Sequence, residues 1–276
     1  SVIMNIISEF KRKYSNAEHV MYDSVSYSAI LDSNKEMFGH RVIPTYYFDK
    51  ANVIVSFGAD FIGNWLNNDY STDYIKGRNP KSKKMSKHYQ LETNLSLTGS
   101  NADKRIPIKP SEQKVLLSQI YKHLSGSISS IDSRIVEIVN RLKRNKRKSI
   151  VISNSNDIDT QLIVNAINKK LQNYNSTISI KRPSYLKQGD NKRVNSLIQE
   201  MNEGKIGALI SYNVNPSYNL PNANEFINSL SNVDLTVAAS LYNDETTSLM
   251  KYACPIHHNL ESWGDAHPSY GLYTLM

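Results

Sequence analysis

The feature that most constrains this chain is a repeated order: a short apolar run, a turn rich in Gly, Asn or Asp, then an amphipathic stretch. Ala51 to Phe57 is the clearest apolar run, and it ends in Gly58-Ala59-Asp60. Ser149 to Ser153 is followed by Asn154-Ser155-Asn156-Asp157 and then by Leu162, Ile163, Ala166, Ile167 and Leu171 at helical spacing. Ala208-Leu209-Ile210 leads to the turn Asn213–Pro216 and a helical stretch over Glu225 to Leu230. Leu235 to Ala239 precedes helical residues near Glu245 to Met250, then an extended piece around Cys254-Pro255-Ile256. A run without polar alternation is a strand buried on both faces, and such strands need helices on both sides. The expectation is an α/β fold with mostly parallel sheets and helices on both faces.

The other segments fit around that pattern. His19-Val20-Met21-Tyr22 reads as a strand before a helix over Ser26 to Glu36. Ile106-Pro107-Ile108 reads as a short extended piece, since Pro107 has no N–H for a central ladder. Ser111 to Leu124 reads as a helix capped by Ser111, with Val115, Leu116, Ile120 and Leu124 on one face. Ser133 to Leu142 and Val194 to Asn202 are further helices, the second stopped by Gly204. The stretches 71–97 and 180–190 are polar and read as irregular surface excursions. A boundary near residue 150 divides the chain into two α/β halves, 1–149 and 150–276. The start at Ser1 and the end at Met276, without a cap, read as a fragment of a longer chain. No run approaches the 18 or so apolar residues of a membrane span.

Composition narrows the chemistry. A single cysteine, Cys254, excludes an internal disulfide framework and a Cys-based zinc or iron–sulfur site within these residues. The net charge of +8 permits an acidic partner. Its cations read as scattered, the densest run being Arg141 to Lys148, a solvated helix end whose charges favour the macrodipole.

No Walker A, GxGxxG, GxSxG, HExxH or EF-hand pattern is present. Ligands of open α/β sheets sit at the carboxyl ends of the strands, which points to the turns at Gly58–Asp60, Asn154–Asp157 and Asn213–Pro216. Their N–H groups and Asn side chains suit phosphate or a purine edge, and they equally suit plain turn formation. His257-His258 with Glu261 invites a metal reading, but neighbouring histidines on extended chain point opposite ways, so a hydrogen-bonding role is favoured. Glu245-Thr246 reads first as a helix cap.

Several of these segments resemble the large subunits of molybdopterin oxidoreductases. Ala51 to Asp60 is similar to their strand and "GANP"-like loop. Ala102-Asp103-Lys104-Arg105-Ile106-Pro107-Ile108-Lys109-Pro110 is similar to their "AD…PI+PGTD" segment. Gly207 to Ile210 running to Asn215-Pro216 resembles "G…GNP". Asp244-Glu245-Thr246-Thr247 and Tyr252-Ala253-Cys254-Pro255 running to Glu261 resemble "D.F.TETA..ADVVLP…LE". A narrower likeness is to the pterin-enzyme-like, iron–sulfur subunits of bacterial alternative complex III, a quinol:cytochrome c or quinol:electron acceptor oxidoreductase. It is carried by Arg41 to Ala51, Leu95 to Asp103, Gln188-Gly189-Asp190 and Leu260-Glu261-Ser262-Trp263.

The resemblance implies two Rossmann-like sheets of the formate dehydrogenase/DMSO reductase central-domain type. It also implies an iron–sulfur domain elsewhere on the same chain, other subunits of a respiratory complex as partners, and export to the periplasmic face of a bacterial membrane. It further implies that this domain of the alternative complex III subunit carries no pterin cofactor. The departures agree: no N-terminal Cys cluster, no Ser, Cys or selenocysteine metal ligand in a matching motif, Asp60-Phe61 where the loop has Asn-Pro, and Cys254-Pro255-Ile256 near the usual Val-Leu-Pro. The leading expectation is therefore a non-catalytic scaffold, with no catalytic residue and no metal ligand, and with electrons passing through clusters outside residues 1–276. The alternative is a piece of an active enzyme binding molybdopterin guanine dinucleotide. Its tails would then be lined by Gly58, Asp60, Asn64, Asn213, Asn215, Glu245 and Thr246, with the metal ligand outside these residues. A nucleic-acid partner rests on charge alone and is set aside.

Overall fold

A computed structural model describes residues 2–67, 69–81, 85–127 and 130–275. In chain order its elements are α1 (Val2–Lys13), α2 (Ser28–Phe38), β1 (Ile43–Tyr46), β2 (Val53–Phe57), α3 (Ser71–Lys76), β3 (Lys87–Glu92), α4 (Leu97–Ser100), β4 (Lys104–Pro107), α5 (Glu112–Leu124) and α6 (Val136–Arg144). They continue with β5 (Ser149–Ser153), α7 (Ile158–Lys170), β6 (Ile178–Ser184), α8 (Asn191–Asn202), β7 (Ala208–Tyr212), α9 (Pro216–Asn219) and α10 (Ala223–Ser229). The last are β8 (Leu235–Ser240), β9 (Tyr252–Pro255), β10 (Asp265–Ser269) and β11 (Leu272–Leu275).

The chain forms two compact units: residues 27–187 with 269–271, and residues 1–26 with 188–268 and 272–276. The expected boundary near 150 is corrected here. β5 pairs in parallel with β2, Val53 opposite Ser149 through Phe57 opposite Ser153, so a cut at 150 would split one sheet.

The larger unit is built on a parallel sheet of order β4-β3-β2-β5. Pro107 fits because β4 is an edge strand. Val53, Val55, Phe57, Tyr89, Leu91 and Val151 pack on one face against Leu116, Leu117 and Ile120 of α5, Ile138, Val139 and Leu142 of α6, and Val164 and Ile167 of α7. Ile54, Ile150 and Ile152 meet Ile30 and Leu31 of α2 and an aromatic group of Phe48, Phe61, Trp65, Tyr70 and Tyr74 on the other face. β1 pairs with β6 in an antiparallel ladder that adjoins them.

The smaller unit holds a second parallel sheet, β7-β8-β9. Val194, Ile198 and Met201 of α8, Phe226 of α10 and Leu230 cover one face of it, over Ala238. His19–Tyr22 forms no strand, although Val20 and Tyr22 pack on this core. The molecule is α/β with Rossmann-like parallel sheets, as the strand–turn–helix order requires.

Local chemistry sets several boundaries. Asp157 caps α7 by accepting from Thr160 N at 3.1 Å and Thr160 Oγ1 at 2.6 Å. Ser111 does not cap α5 with its side chain; Glu112 instead accepts from Lys109 N at 2.7 Å. Gly204 ends α8 with φ +67, which glycine adopts without a Cβ penalty.

Candidate functional site: the strand ends of the larger unit

The chain runs from β2 to β3 to β4 in one direction, then returns to place β5 on the far side of β2. That reversal opens a crevice at the carboxyl ends of β2 and β5, the place where α/β sheets hold ligands. A cavity of about 400 Å³ lies here, lined by Gly58, Glu92, Thr93, Asn94, Ser96, Pro110, Gln113, Asn154 and Ser155. Gly58 N donates to Leu91 O at 2.8 Å, and Asn154 N donates to Phe57 O at 3.0 Å, so both turns are locked to the sheet. Gly58 has φ +66, and a Cβ there would stand 2.7 Å from Asn154 Oδ1. Gln113 reaches from α5, accepting from Ser153 Oγ at 3.2 Å.

Glu92 is the ionisable group of this lining, and it is 3% exposed. Its carboxylate accepts from Arg105 Nε at 2.7 Å, Ser96 Oγ at 2.6 Å, Gln90 Nε2 at 3.0 Å and Ser96 N at 3.2 Å. Burial alone would raise its pKa, but the bonds from Ser96, Arg105 and Gln90 outweigh burial and hold it below the usual carboxylate range. A Cβ on Gly99 would lie 1.9 Å from Glu92 Oε1, so that glycine makes room for the carboxylate.

Behind Glu92, one face of β3 is polar and buried. His88, Gln90 and Glu92 stand in line, with His88 Nε2 3.3 Å from Gln90 Oε1 and His88 Nδ1 3.1 Å from the Tyr74 hydroxyl. Gln90 donates its amide N–H to Glu92, which turns its oxygen toward His88 Nε2. Burial pushes the imidazole pKa down to about 4, so the ring is neutral at pH 7.

The expected site residues divide. Gly58 lines the cavity; Asp60 and Asn64 do not. Asp60 Oδ1 accepts from Thr98 N at 2.9 Å, and a Cβ on Gly63 would meet Asp60 Oδ2 at 2.2 Å, so the carboxylate is folded into its own loop. Asn64 is exposed on the following turn. In the smaller unit, Asn215, Glu245 and Thr246 do come together. Asn215 Nδ2 donates to Glu245 Oε2 at 2.7 Å, and Thr246 Oγ1 donates to Asn215 Oδ1 at 2.7 Å. Thr246 Oγ1 in turn accepts from Ser217 N at 2.9 Å. The hydrogen bond from Asn215 holds the Glu245 carboxyl below its ordinary pKa. Asn213 contributes backbone geometry, with φ +50 and its N–H donated to Ala239 O at 2.8 Å. His258 serves a turn: its Nδ1 accepts from Leu260 N at 3.1 Å.

Sequence reading missed Glu92, Gln113 and all of β3, because 71–97 looked irregular. The signal was the alternation of Tyr89 and Leu91 with His88, Gln90 and Glu92, a period of two.

A molybdopterin dinucleotide is poorly matched to these groups. Its diphosphate calls for cations or free N–H groups. The cavity lining contains no Lys, Arg or His, its carboxylate is already saturated, and the Asn215–Glu245–Thr246 cluster is closed on itself. Ser217 Oγ, beside that cluster, is buried without a hydrogen-bond partner among the described residues, but one hydroxyl is no phosphate nest.

No family model and no curated protein matches the sequence. Among solved structures, acetylene hydratase from Pelobacter acetylenicus is similar, with a TM-score of 0.56 and 13% identity over 87% of this chain and 45% of its own. The formyltransferase/hydrolase complex from Methylorubrum extorquens, solved with methylofuran, gives a TM-score of 0.53 and 10% identity over 84% of this chain and 70% of that one. The chain thus spans about half the length of the hydratase it resembles. At these identities the likeness is one of fold alone.

Proposed function

We propose that this chain is a non-catalytic, pterin-enzyme-like scaffold domain of a membrane-associated respiratory quinol oxidoreductase, of the kind found in bacterial alternative complex III. The observation that carries the reading is the self-satisfied state of the strand-end residues. Asp60 is bound to Thr98, Glu92 to Arg105 and Ser96, and Asn215 to Glu245 and Thr246. A reacting site instead keeps such groups convergent and open toward substrate. The segments Arg41–Ala51, Leu95–Asp103, Gln188–Asp190 and Leu260–Trp263 support the narrower assignment. In this reading the domain supports an iron–sulfur domain of the same polypeptide, contacts other subunits on the periplasmic face of the membrane, and holds no pterin.

The second reading, a piece of an enzyme that binds molybdopterin guanine dinucleotide, draws on the cavity at the β2/β5 reversal. Asp60→Ala and Asn215→Ala in the assembled complex separate the two. The scaffold reading expects quinol oxidation unchanged within error. A large loss of activity with normal assembly contradicts it.

A further inference from the structure

The opposite edge of the larger unit's sheet has a different chemistry. Lys143 and Arg144 end α6, Lys146, Arg147 and Lys148 form the turn into β5, and Lys169 and Lys170 end α7. All seven are exposed. The fold gathers them: Arg147 N donates to Leu171 O at 2.8 Å, and Lys148 O accepts from Asn52 N at 2.7 Å. None of the seven forms an ion pair among the described residues. At the carboxyl edge, Lys114 lies 2.8 Å from Asp159 and Arg105 2.7 Å from Glu92. The seven are among the chain's 33 Lys and Arg, which stand against 25 Asp and Glu. These seven exposed cations form a local patch within a charge that is otherwise scattered along the chain. The two helix ends account for four of the cations through the macrodipole. Lys146, Arg147 and Lys148 lie beyond both helices.

The character of the patch narrows its partner. Five of the seven are Lys, a hydrated point charge, whereas tight protein interfaces are depleted in Lys. The apolar neighbours Leu142, Ile167 and Leu171 are fully buried, so the contact is by charge alone. Clusters of this size suit a laterally extended anionic surface. We propose that the amino-terminal edge of this sheet is a docking surface for anionic phospholipid headgroups.

The test is co-sedimentation of the chain with vesicles of phosphatidylglycerol and phosphatidylcholine in equal parts, and with phosphatidylcholine alone. The chain binds the anionic vesicles at low salt and not the neutral ones, and it is released at about 1 M salt, where the screening length falls to about 3 Å. The variant K143E/K146E/K169E/K170E, checked for an unchanged circular dichroism spectrum, loses at least about a hundredfold in affinity. The neutralised variant K143Q/K146Q/K169Q/K170Q loses less, in the same direction. Failure of the unmodified chain to bind anionic vesicles at low salt overturns the proposal. Undiminished binding by both variants overturns it as well. Binding to polyglutamate but not to the vesicles overturns the lipid assignment in favour of an acidic protein.

Discussion

The two units apply the same strand–turn–helix order with different results. The four-stranded sheet carries a core on each face, and its strand order reverses between β2 and β5. The three-stranded sheet runs β7-β8-β9 without reversal and is covered on one face. On its other face Ile210, Tyr212 and Tyr252 are 57%, 54% and 60% exposed, an uncommon state for parallel strands. The comparison separates two consequences of one pattern. Cover on both faces buries the sheet, and reversal of the strand order makes the crevice. Only the larger unit combines them, and there the crevice is lined by groups already satisfied by their neighbours.

The largest expected effect tests the difference in cover. Phe57 is fully buried in the larger core, and Phe57→Ala should cost about 3–5 kcal/mol in denaturant unfolding. Tyr212→Ala, on the open face, should stay within about 0.5 kcal/mol. A comparable loss at Tyr212 would break the contrast.

The next effect is pH dependence in the larger unit. The His88 imidazole takes a proton near pH 6.5 when unfolded but only at about 4 when folded. Between those values the unfolded chain binds a proton that the folded chain refuses, so stability falls as pH falls through the window. The loss approaches about 3 kcal/mol. His88→Gln should flatten that stretch of the stability curve. Glu92 and Asp103, held low, act mainly below it. An unchanged curve in the variant would remove His88 from the account.

A smaller effect probes the room made for Glu92. Gly99→Ala should cost about 1–3 kcal/mol, because its Cβ would displace a buried, ion-paired carboxylate. Gly207→Ala in the smaller unit, with open space around the new Cβ, should be near neutral. The smallest effect is local to the second strand-end cluster. Asn215→Ala should cost about 1 kcal/mol by freeing Glu245 and Thr246, read by hydrogen exchange at Thr246 N, which bonds Asn215 Oδ1 at 3.2 Å.

Much of the fold was legible where burial is apolar. β2, β5, β7 and β8, with α7 after β5 and α10 after β7, follow from unbroken apolar runs and from helical spacing. β3 did not, because its inner face buries His88, Gln90 and Glu92, and a buried polar strand looks like a loop until its partners are seen. The cavity was half legible. Gly58 and the Asn154 turn mark strand ends, but Glu92 is hidden with β3 and Gln113 lies on a helix chosen for its apolar face. Asp60 was misleading because a carboxylate next to a strand-end glycine serves a loop as readily as a ligand, and Thr98 N decides which. The unit boundary was misplaced because similar strand–turn–helix repeats on both sides of 150 do not reveal that β5 pairs back onto β2.

The scaffold reading meets its most direct test in the protein isolated from its native membrane with its partners. Molybdenum, tungsten and released pterin should be measured on a preparation that retains quinol oxidation. The account predicts full activity with neither metal nor pterin in stoichiometric amount. Stoichiometric metal and pterin, lost together with activity on Asp60→Ala or Asn215→Ala, would contradict it.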